Sequence, residues 1–133
     1  MFGVKGMRYL ANRIIRWPDE LGYTEACRQQ AHVVRLQEEM GSGGAGFRFL
    51  FAAFLQEASE WFGSPDLHKL SMDMTAIGDR WREFAVVSVR IIKQRKTRRE
   101  DTFDRVGGMM LDCATREEEL FKNLRDVVSV IKT

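Results

Sequence analysis

From residue 67 onward, one set of positions recurs at alternating spacings of three and four: Leu67, Leu70, Met74, Ile77, Trp81, Phe84, Ser88 and Ile91. All but Ser88 are apolar. Only an α-helix puts residues so spaced on one face, and a repeat averaging 3.5 residues is the seam of helices packed side by side. A second seam follows in Val106, Met110, Cys113, Glu117, Leu120, Leu124, Val127 and Ile131. The first predicts a helix over about 65–96, the second a last helix beyond "TRREDT". Gly107-Gly108 blurs where the last helix starts, because each glycine costs about 1 kcal/mol inside a helix. The long pair is expected to form an antiparallel hairpin.

The N-terminal half reads as three shorter helices. Met7, Leu10, Ile14 and Trp17 share one face of a helix from about Lys5 to Trp17. Pro18 is expected to stop it, since the residue before a proline is pushed out of the α region. Thr24 is placed to cap a second helix reaching Met40. Its apolar stripe is thinner: Cys27, Val33, Val34 and Met40. After "GSGGAG", residues Phe47, Leu50, Phe51, Phe54, Leu55, Ala58, Trp61 and Phe62 predict a third helix with a broad apolar face. Gly63 suits its C-terminus, and Ser64-Pro65 suits the next N-terminus.

No run alternates as a strand does, so the expected fold is an all-α bundle of about five helices, with 1–133 as one domain. The two prolines and 44% hydrophobic residues in 133 fit a chain with a real core. A formal charge of +2 is too mild to require nucleic acid. The two cysteines, Cys27 and Cys113, form no CxxC pair and read as reduced, buried thiols. Lys5, Arg8, Arg13 and Arg16 interrupt the N-terminal apolar residues, so this stretch is not expected to act as a secretory leader. Nothing approaches the ~20 apolar residues of a membrane span. A cytoplasmic location is expected. Any apolar stripe left uncovered by the shorter helices would favour a homodimer.

Candidate chemistry is sparse. The glycines of 41–46, Gly43, Gly44 and Gly46 among them, precede a helix and can offer backbone N–H groups to an anion, with Arg48 adding charge. A phosphate loop would require Lys and Ser or Thr after the last glycine, where Phe47 and Arg48 stand. A tight helix corner explains the glycines equally. Cys27 and His32 lie five apart, about 140° around a helix, which is poor geometry for a dyad or a shared metal. Glu57 and Glu60 sit three apart beside an apolar face. The run Arg90, Lys93, Arg95, Lys96, Arg98 and Arg99 would suit an anionic partner, or only solvate a helix end and complement its dipole. With no aromatic residue among them, base stacking is not indicated. No cofactor or metal site is expected.

The stretch "GSGGAGFRFLFAAFLQEASEWFGSPDLHKLSMDMTAIGDRWREF" resembles the C-terminal region of proteins similar to the butirosin biosynthesis protein H. Gly41, Gly43, Gly44, Phe47, Arg48, Phe54, Leu55, Glu57, Ala58, Leu67 and Trp81 carry the likeness, and "GVKGMRYLANRIIRWPDE" also looks like the start of that region. The resemblance implies a natural-product setting in which an aminoacyl group passes from an acyl carrier protein to an amine. It also implies a cysteine-nucleophile N-terminal domain, absent from these 133 residues, to which this region would be a C-terminal part.

On that footing the chain is expected to be a non-catalytic accessory helical domain. It would support substrate binding, docking or dimerisation, with a cysteine-nucleophile domain or acyl carrier protein as partner. Arg48 would bind an acidic group or anchor the glycine loop, and Glu57 would orient Arg48 or bind a substrate amine. The alternative is a small oligomeric interaction or regulatory protein that uses the basic run 90–99.

Overall fold

The computed structural model describes residues 3–38, 45–93 and 101–132. Among these residues it contains five α-helices and no strand: α1 Val4–Leu21, α2 Tyr23–Glu38, α3 Ala45–Phe62, α4 Pro65–Ile92 and α5 Phe103–Lys132. No helix among the described residues is long and apolar enough to cross a membrane.

α4 is the axis of the bundle. Its predicted seam is buried along its whole length, from Leu67 to Ile91. The helix is started by the side chain of Ser64, whose hydroxyl accepts from the Leu67 N–H at 3.3 Å, with Pro65 next in sequence. α3 folds back against α4 through one tight turn. Gly63 has φ +57, and the Ser64 N–H bonds the Ser59 carbonyl at 2.9 Å, as in a Schellman cap.

α5 runs antiparallel to α4, as ion pairs Arg80–Asp112 and Arg90–Asp101 show. It starts at Phe103, where the Thr102 hydroxyl accepts from the Arg105 N–H. Gly107 and Gly108 therefore lie inside the helix. Gly107 is there because α1 crosses on top of it. A Cβ at that position would come within 2.4 Å of Ile15 Cγ1 and 2.9 Å of the Ala11 carbonyl. α1 is antiparallel to α5, with Arg8 reaching Glu118 at 2.7 Å. α2 lies against α1 and α4, where Gln30 donates to Ser88 in the core.

Two expected boundaries move. α1 does not stop before Pro18 but continues to Leu21 and ends at Gly22, φ +80. Near a helix end the proline sacrifices only one N–H bond, and Ile14, one turn before it, and the adjacent Trp17 are held in the core. Thr24 lies within α2 rather than capping it. The Gly22 carbonyl accepts the first bond of that helix, from Ala26 at 3.0 Å.

Candidate functional site

The segment 39–44, which holds Gly43 and Gly44, lies outside the described residues. Gly46 is exposed in the first turn of α3, and a Cβ there would touch nothing within 4 Å. Arg48 is where the charge of this segment resides, and α3 directs it into the core. The residue is 2% exposed, and its Nε and Nη2 both lie 2.7 Å from Oε1 of Glu117 on α5. The guanidinium carbon sits 5.0 Å from the ring centre of Trp81 on α4. One side chain thus ties together three helices.

Burial pushes the Glu117 carboxyl above the usual carboxylate range, while the Arg48 charge and its hydrogen bond, then the Trp81 indole, pull it back. One turn earlier, the Cys113 thiol is pushed up to about 12, by burial first and then by the Glu117 and Asp112 charges. Such a thiol stays protonated and is no nucleophile at neutral pH.

This geometry corrects one expected pairing. The carboxylate that orients Arg48 is Glu117, not Glu57, which is exposed nine positions further along α3, about 13 Å at 1.5 Å per residue. Glu117 was visible in the sequence as the one charged residue in an otherwise apolar seam. A carboxylate at such a position calls for a buried cation.

The rest of the expected chemistry is dispersed. Cys27 is buried and donates to the Ile91 carbonyl at 3.9 Å, whereas His32 is exposed, so the two form no dyad. Burial raises the Cys27 thiol above its ordinary value. Among the described residues no group of three or more His, Cys, Asp or Glu is placed to hold a metal. In the basic run, Arg90 is committed to Asp101 at 3.0 Å, and Lys93 is exposed. Arg95, Lys96, Arg98 and Arg99 lie outside the described residues.

The feature that remains is the outer face of α3. Spacing places its large apolar residues on one broad apolar face, and the structure divides them. The side turned fully to the core is Arg48, Ala52, Leu55 and Ser59, of which the small Ala52 and Ser59 let α3 lie close on α4. Leu50, Phe54, Trp61 and Phe62 stand in solvent at 71%, 62%, 82% and 63% exposure. Two shallow apolar hollows flank Phe54. One is lined by Phe47, Leu50 and Phe51, the other by Ala58, Trp61 and Phe62, and Glu57 borders both. Phe51 packs against Phe121 of α5 with the rings tilted 54° and their centres 5.7 Å apart, which extends the apolar surface toward Val128. Arg48, the one cation of α3, is withdrawn from this face.

A family model described as a domain of unknown function (DUF4872) matches residues 1–124. No curated protein and no solved structure matches the chain.

Proposed function

The chain belongs to this family of domains of unknown function, and from that premise we propose that it is a non-catalytic accessory domain that works by protein contact through the outer face of α3. The observation that carries the reading is the row Leu50, Phe54, Trp61 and Phe62, exposed on one rigid helix. A patch of exposed aromatic residues on a well-packed helix costs solubility, and such patches mark interaction sites. The chemistry of the core points the same way. The thiols are buried and protonated, and the buried Glu117 carboxylate is tied to an arginine. The resemblance to butirosin-H-like proteins supplies a setting, an acyl-transfer system that forms amides in natural-product biosynthesis. In that setting this domain would dock or pair the machinery rather than carry out transfer.

The test compares two baits in lysate of the source organism at high salt, the native chain and a Phe54→Ser/Trp61→Ser variant. Both altered residues are exposed, so equal melting curves are expected. Proteins held by the native chain, copies of itself included, should be lost from the variant. Equal recovery by both baits would overturn the role of this face. Release of product from an aminoacyl thioester by the purified chain would overturn the non-catalytic reading.

A further inference from the structure

We infer that the occupant of the α3 face is α3 of a second copy, laid antiparallel about a two-fold axis near Phe54. This rests on the docking role proposed above and names its partner. Three observations carry it.

The first is area. At about 150–250 Å² per aromatic side chain, the exposed fractions of Phe54, Trp61 and Phe62 amount to roughly 400 Å². Leu50 and the adjoining Phe121 add to this, against the ~800 Å² each partner gives to a standard interface. The α3 face therefore supplies well over half of what a stable dimer requires, before its rim is counted.

The second is shape. A two-fold axis at Phe54 sets each position opposite its mirror in register. Trp61, seven residues beyond Phe54, then meets Phe47 of the other copy, seven residues before it. Phe47 and Leu50 line one hollow, and Trp61 is the most exposed large apolar residue of the chain's described part. The face thus carries both a projection and a depression of matching chemistry, which is what a self-complementary contact needs.

The third is charge. Glu57 borders both hollows from the C-terminal half of α3, and no described cation stands exposed on the helix to balance it. Parallel pairing would set the two copies' Glu57 carboxylates side by side. Antiparallel pairing sends them toward the other copy's α3 N-terminus, the positive end of the helix dipole. The charges on the rim therefore select the antiparallel arrangement.

The experiment is sedimentation and tryptophan emission across a concentration series, on the full chain. Trp17 and Trp81 are already buried, so a change in emission reports Trp61. Dimer formation with a concentration-dependent shift to shorter wavelength is expected. Trp61→Ser should weaken it by roughly 30-fold or more, as loss of a hot-spot aromatic does. Single-cysteine variants then read the register. Phe54→Cys, on the axis, should form an intermolecular disulfide, and Ala58→Cys, four residues from it on the same face, should not, while buried Cys27 and Cys113 stay silent. Disulfides from both variants would mean parallel pairing and overturn the arrangement. So would a dimer that Trp61→Ser leaves unchanged. A chain that stays monomeric overturns the second-copy inference. If its lysate partners still depend on Phe54 and Trp61, the docking reading stands with a different occupant. If they do not, both fall.

Discussion

Removing one member of the Arg48–Glu117 pair should be among the most damaging single changes in this chain. In Glu117→Ala the guanidinium stays buried, 2% exposed, with its two 2.7 Å contacts gone. Hydrogen bonds to charged groups contribute about 1.5–3 kcal/mol each, and breaking a buried ion pair costs ~3–5 kcal/mol. The first route gives about 3–6 kcal/mol and the second about 3–5, and the range they share is about 3–5 kcal/mol. With 133 residues at ~2.1 cal/mol/K each, the unfolding entropy is about 0.28 kcal/mol/K, so the midpoint should fall by ~11–18 °C. Arg48→Ala should behave alike. Replacing both at once, Arg48→Met with Glu117→Leu, removes the desolvation cost as well as the attraction, and should return stability to within ~1 kcal/mol of the native chain or above it. Thermal melts followed by circular dichroism, with urea titration for the m-value, measure all three. Single variants costing under about 1 kcal/mol would show that water reaches the pair. A double variant as damaged as the sum of the singles would refute the account of the pair as a mutually compensating unit.

Other outcomes follow from the same geometry. Gly107→Ala should destabilise by about 1–3 kcal/mol, because its Cβ would meet the Ala11 backbone carbonyl, whereas Gly108→Ala, with open space around it, should stabilise by ~0.5–1 kcal/mol in the same urea assay. Because burial raises the folded Glu117 carboxyl above its unfolded value, its contribution is fully favourable below the ordinary glutamate range. It erodes as pH rises from there through the raised value. The stability difference between native chain and Glu117→Gln should therefore change across that window, and a difference constant with pH would count against the shift. With Cys27 and Cys113 buried and their thiols raised, neither should react with a thiol reagent at pH 8 until denaturant is added. Prompt labelling of the folded chain, read by mass spectrometry, would contradict their placement.

The helical class and the two long seams follow directly from spacing. Leu67 to Ile91 is an unbroken 3–4 repeat, and a helix is the only way to gather it on one side, so all of it is buried. The turn at Gly63-Ser64-Pro65 was equally plain, because a positive φ, a hydroxyl cap and a proline at the first helical position are local demands that local residues meet. Pro18 was less informative than it looked. Near a helix end a proline forfeits little, and the core contacts of Trp17 outweigh that loss.

What the sequence by itself determined is the period of each helix and the chemistry of its ends, since both depend on neighbours within a few residues. It also marked Glu117 as the charged residue in an apolar seam, without saying what met it. Tertiary structure decided which face of α3 is inside. A helix with large apolar residues around most of its circumference has no single amphipathic direction, so the choice falls to close packing. The stripe of Ala52 and Ser59 lets α3 approach α4, Arg48 finds Glu117 across the core, and the bulky Leu50, Phe54, Trp61 and Phe62 are left outside. The same choice turned Arg48 from a candidate ligand of the glycine loop into a tie between three helices, and made the outer face of α3 the surface on which the proposed function rests.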